Sequence, residues 1–299
     1  MAETELLDLS QLSLKKRDYS KTLLTIGAAF MAVLFFIGFL DAIGGFETGL
    51  DWIDWVAMGL MAVCGPYGFY STHKFNRIRD IESRLPDFLR DVAEGGRFGM
   101  TLADSIKVSS RGRYGRLTPE IQRMAAQIDW GVPATEAIKL FMDRVDTPLV
   151  KRMTSIIIKA NDAGGNVADV LEMVAHDARE TLLGRAERAV SMSTYTVVIY
   201  VAFAVFLATI FILNSTFLPQ MVKAGASISD SASDVGNVPI LVKDEVIPEI
   251  QLIFVISVVI HAFGDGILAG VLQDGRIANG FRHSFIMLAI GLIGTRLLG

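Results

Sequence analysis

Between Arg188 and Lys223 the chain carries no charged residue. That run exceeds the ~20 apolar residues that cross a bilayer as a helix. In hydrocarbon only helices and closed barrels satisfy their own backbone groups, so the run is constrained to be helical. No proline lies between Pro148 and Pro219, and between Gly165 and Gly225 the only glycine is Gly184. The sequence therefore predicts one unbroken helix from Asn166 to Phe217, on the order of 75 Å long at ~1.5 Å per residue.

Other apolar runs support the same class. Hydrophobic residues make up 52% of the chain and charged residues 20%, and the mean hydropathy is +0.44. This is too apolar for an ordinary soluble domain. Residues 22–40 and 55–72 are uncharged, with Trp52 and Trp55 placed as interfacial anchors and Pro66 tolerable inside a membrane helix. Residues 250–273 form a further run, interrupted by His261 and Asp265, and 284–298 another, with Arg296 placed to snorkel. The first run is read as an uncleaved span rather than a signal peptide, because a second span follows closely.

The expected fold is all-α: a polytopic membrane protein with about five transmembrane helices and one six-helix domain of three hairpins between spans. Residues 1–21 are an N-terminal segment with Lys15, Lys16, Arg17 and Lys21; 22–73 hold two spans; 74–190 the helical domain; 191–218 the third span; 219–249 a loop; and 250–299 two spans. Basic residues flank 1–21, 74–190 and 274–283, whereas acids dominate 41–54 and 219–249. The positive-inside rule then puts the N-terminus and the helical domain in the cytoplasm, and the loops and C-terminus outside.

Within 74–190, helices are expected at about 81–97, 101–110, 118–130, 133–144, 147–163 and from 166 onward. The stretch from Ala160 to Leu171 shows the logic. Leu149, Met153, Ile156, Ile157 and Ala160 share one helical face. Gly164-Gly165 stops that helix, and Asn166 caps the next. Two similar turns precede it: Gly99 with Thr101, Asp104 and Ile106, and Gly131 with Pro133, Glu136 and Ile138, matching Gly164 with Asn166, Asp169 and Leu171. The glycines are spaced 32 and 33 residues apart, a period characteristic of stacked helical hairpins.

These hairpins, the opening Leu85-Pro86-Asp87-Phe88-Leu89-Arg90 and the turn Ala160-Asn161-Asp162-Ala163-Gly164-Gly165-Asn166 resemble the type II secretion F domain. The resemblance covers roughly residues 74 to 218. The two-glycine turn is most similar to archaeal members. The resemblance implies a membrane platform of a type IV pilus, archaellum or type II secretion machine. Its implied partners are a hexameric secretion ATPase and pilins. It implies no enzymatic activity. Most such platforms carry two F domains and this sequence shows one, so a second copy or a paralogous platform partner would complete it.

The residues themselves suggest little chemistry. No phosphate-binding loop occurs, the histidines are not spaced as metal ligands, and no cofactor is expected. A net charge of −4 gives no electrostatic reason to expect a nucleic-acid partner. Lys107, Arg111, Arg113 and Arg116 form a basic cluster with no acid between Asp104 and Glu120. It suits either an acidic partner surface or nearby anionic lipid. Ala262-Phe263-Gly264-Asp265 resembles the Gly-x-Gly-Asp motif of intramembrane aspartyl proteases, with alanine replacing the first glycine. The preferred reading is a packing position, where glycines let helices approach and Asp265 bonds His261 or a neighbouring helix. The alternatives are such a protease, which needs a second acid to share a proton, or an ion-coupled transporter using His261 and Asp265.

Overall fold

The computed structural model describes residues 20–43, 51–232 and 247–297. The expectations for Lys15, Lys16 and Arg17, for residues 44–50 of the acidic segment 41–54 and for the loop from 233 to 246 lie outside the described residues. Among the described residues ten α-helices occur in chain order: α1 (Ser20–Ala42), α2 (Trp52–Arg97), α3 (Leu102–Ser109), α4 (Thr118–Asp129), α5 (Ala134–Val145), α6 (Pro148–Asp162), α7 (Val167–Ile212), α8 (Leu218–Ala232), α9 (Ile247–Asp274) and α10 (Ile277–Leu297). A 3-10 turn spans Gly115–Leu117 and a π turn Leu213–Phe217. Among the described residues there is no strand. They divide into two compact units, residues 73–188 and residues 20–72 with 189–297.

The first unit is a six-helix bundle built from the end of α2, α3 to α6 and the start of α7. One apolar stripe per helix supplies its core, including Leu85, Ile106, Leu117, Met124, Phe141, Met153 and Val174. Helix starts are fixed locally. Thr101 accepts the Asp104 backbone N–H at 3.2 Å, Thr147 accepts that of Val150 at 3.3 Å ahead of Pro148, and Asn166 accepts that of Ala168 at 3.2 Å. Each satisfies an N–H that the helix leaves without an internal partner.

Three helix ends share one hydrogen-bond pattern. Gly99, Gly131 and Gly164 have φ of 78°, 89° and 69°. The residue after each glycine donates its N–H five residues back, Met100 to Gly95, Val132 to Gln127 and Gly165 to Ala160, and each glycine donates three residues back. This is the Schellman arrangement, which closes a helix when one residue turns left-handed.

The second unit contains α9 and α10 in close antiparallel contact. A Cβ on Gly266 would lie 2.2 Å from the Ser284 Cα, and one on Gly270 2.2 Å from the Gly280 Cα. Only glycine permits that approach, so here the glycines are packing positions. Ser284 donates to the Phe263 carbonyl at 2.9 Å, and Asn279 to Asp274 at 2.8 Å. At the other end of α10, Arg296 pairs with Asp51 at 3.0 Å and with the buried Asp54. Two carboxylates at the start of α2 thus hold the arginine at the end of the last apolar run.

Four helical stretches are long and apolar enough to cross a membrane: Ser20–Asp41, Val167–Gly225, Ile247–Asp274 and Ile277–Arg296. Residues 55–72, expected as a further span, lie inside α2 and are not among them. Pro66, Tyr67, Tyr70 and three glycines dilute their hydropathy. The loop expected from 219 begins instead as helix α8. The π turn before it has a local cause: Pro219 has no N–H to give the Ser215 carbonyl, and a widened turn relieves the clash of its ring.

Candidate partner-docking site

The basic cluster lies on the connection between α3 and α4. Tyr114 anchors that connection. Its ring is buried edge-on against Phe88, with centroids 5.5 Å apart. Its hydroxyl donates to the Asp91 carboxylate, and its backbone N–H donates to Thr118 Oγ1 at 2.8 Å. Burial, then the bond to Asp91, push the Tyr114 hydroxyl above its ordinary pKa. The tyrosine therefore stays a neutral donor and pins the loop to α2.

The four cations are not equivalent. Lys107 pairs with Asp104 at 3.0 Å and Asp129 at 3.9 Å. The hydrogen bond to Asp104 raises the Lys107 pKa, and those from Thr101 and Lys107 lower that of Asp104. Arg116 pairs with Asp80 at 3.4 Å. Arg111 and Arg113 are exposed, and their side chains have no hydrogen bond or ion pair among the described residues. The structure thus reduces a four-residue cluster to two uncommitted arginines just ahead of a buried tyrosine.

The other candidates are scattered. Gly99, Gly131 and Gly164 carry the left-handed turns, while Gly165 has ordinary φ and Asn166 is a cap. Hence these residues shape the bundle rather than form a site. His261 Nδ1 lies 3.6 Å from Asp265 Oδ2, one turn apart on α9, and the Phe206 ring covers the imidazole at 4.4 Å between centroids. No other acid hydrogen-bonds to Asp265 among the described residues. No group of His, Cys, Asp and Glu there has the makings of a metal site.

Sequence reasoning missed Glu82. It is buried on α2 and accepts from both the Leu149 N–H at 3.2 Å and Arg185 at 2.8 Å. Its signal was an acid on the same helical stripe as Leu85 and Leu89. Also missed were Phe98 and Trp130, 82% and 90% exposed beside the first two glycine turns.

Residues 88–214 match the family model of the type II secretion system protein F. This stretch is a type II secretion system F domain. The F domain thus runs from α2 through the bundle and into the apolar part of α7, and together with the four apolar helices it marks a multi-pass membrane protein. An uncharacterized protein of Methanocaldococcus jannaschii is 26% identical over 241 residues, 80% of this chain and 37% of that protein. The chain therefore spans about 37% of the length of this relative. No solved structure matches.

Proposed function

We propose that this protein is the membrane platform of a type IV filament or type II secretion-like machine, coupling a cytoplasmic secretion ATPase to pilin assembly. The observation that carries the proposal is the F domain joined to apolar segments through unbroken helices. α2 leaves the apolar run 55–72 and enters the bundle without interruption, and α7 leaves the bundle for the longest uncharged run of the chain. A domain so connected is suited to receive a push from a soluble motor and pass it on.

The remaining parts of the proposal follow from charge. The basic flanks place the F domain in the cytoplasm and the C-terminus outside, with residues 55–72 as a fifth span. Arg111 and Arg113 offer an acidic surface of the ATPase two cations that no intramolecular partner holds. A second copy or a paralogous platform protein supplies a second F domain. The test is co-purification from native membranes: the protein should retain a hexameric ATPase and pilins, and its deletion should abolish surface filaments or pilin-like secretion. Recovery of neither partner, with filaments and secretion intact in the deletion strain, would refute the proposal.

A further inference from the structure

The middle of α9 carries an ionisable pair on an uncovered face. His261 lies at the centre of this apolar helix and Asp265 one turn further on. Their side chains keep 53% and 31% of their exposure. On the same side, Leu268 is exposed, and a Cβ on Gly264 would meet nothing within 4 Å. The opposite side of α9, with Val258, Val259, Ala262, Gly266 and Ala269, is buried. His261, Gly264, Asp265 and Leu268, spaced by three and four residues, therefore form one continuous strip facing outward.

Such a strip would be unremarkable in water. In a helix apolar enough to cross a membrane it is not, because ionisable groups at mid-span are costly against hydrocarbon and are normally turned toward protein or a hydrated cavity. The 3.6 Å contact within the helix satisfies one side of each group, and Phe206 covers one face of the imidazole. Among the described residues their outer sides stay open.

We propose that a second copy of this chain covers the strip, α9 against α9 about a two-fold axis along the membrane normal. Self-complementarity argues for a copy over a different partner. Base and acid stand one turn apart on the same face, so two parallel copies can each place His261 against Asp265 of the other, using the same patch twice. Gly264 lies between them and leaves the crossing free of a side chain, as at small-residue contacts between membrane helices. Two half-satisfied pairs become one ring of alternating base and acid. The inference rests on the second-copy half of the proposed function and not on filament assembly, so a failed cross-link would leave the ATPase and pilin readings to their own test.

The test uses the full chain in membranes. A Leu268→Cys variant should form disulfide-linked dimers on mild oxidation, whereas Val197→Cys, exposed on α7, should not. Two differently tagged copies are then combined, each also carrying Leu268→Cys: one with His261→Asp, the other with Asp265→His. At equal membrane levels, cross-linking of each copy with itself should fall several-fold, and co-expression should restore it between the two tags. Three results would overturn the proposal: Leu268→Cys giving no more dimer than Val197→Cys, mixing restoring nothing, or Leu268→Cys linking only to a different protein.

Discussion

Arg185 on α7 donates to the buried carboxylate of Glu82 on α2 at 2.8 Å. The other carboxylate oxygen accepts the Leu149 N–H at 3.2 Å, in the first turn of α6. One side chain therefore ties three helices of the bundle, two of which continue into apolar segments. The two partners differ in exposure, 4% for Glu82 and 50% for Arg185, and this sets an asymmetry. Arg185→Ala leaves a buried carboxylate without its cation and should cost about 3 kcal/mol. Glu82→Gln keeps an oxygen for Leu149, and Arg185 can return to water, so its cost should be about 1–2 kcal/mol. Denaturant unfolding of the two variants, with hydrogen exchange at the start of α6, checks the order.

The paired glycines at the end of α6 should respond differently to alanine. Gly164 has φ of 69°, where a Cβ is strained, so Gly164→Ala should destabilise the hairpin by about 1–2 kcal/mol. Gly165 has no positive φ, and an added Cβ would sit 3.7 Å from the nearest atom, the Ala160 carbonyl oxygen. Gly165→Ala should be close to neutral. Equal losses in thermal unfolding would show that the turn is not held by a single left-handed residue.

Arg111→Glu with Arg113→Glu should weaken ATPase pull-down by about tenfold, equivalent to ~1.4 kcal/mol. Lys107→Gln with Arg116→Gln should have a smaller effect, because both cations already serve Asp104, Asp129 and Asp80. The wild-type interaction should also weaken as salt rises, since exposed charges are screened. Pull-downs at several ionic strengths measure both effects. Identical behaviour of the two double variants would remove Arg111 and Arg113 from the docking surface.

α7 runs without interruption from Val167 to Ile212, through Gly184. Glu187 is exposed on it. Glu187→Pro removes a helix hydrogen bond and costs ~3 kcal/mol, whereas Glu187→Ala keeps the helix. If force passes along α7, the proline variant should abolish filament assembly while still binding the ATPase, and the alanine variant should be nearly silent. Normal assembly by the proline variant would mean that force takes another route.

Lys223→Cys reports the orientation. It lies on α8, just beyond the uncharged run, and is exposed. A membrane-impermeant thiol reagent should label it from outside intact cells. Labelling only after the membrane is opened would invert the orientation.

The sequence by itself determined the helices and their ends. Apolar periodicity is a property of a single segment, and Thr101, Thr147, Asn166 and the three spaced glycines act within a few residues of their own position. The uncharged run after Arg188 likewise required nothing beyond local composition to be a membrane-length helix. Only the tertiary structure decided which charges are free. Lys107 and Arg116 look like Arg111 and Arg113 in sequence, and lose their availability to acids on other helices. Glu82 became a buried tie through partners 67 and 103 residues away. Arg296 found Asp51 and Asp54 more than 240 positions earlier. Helix packing sets these pairings, because it fixes which faces meet, and the 3.6-residue period says only which residues share a face. For the same reason, packing alone decided that His261 and Asp265 lie on the face of α9 opposite Val258, Ala262 and Ala269, which are buried.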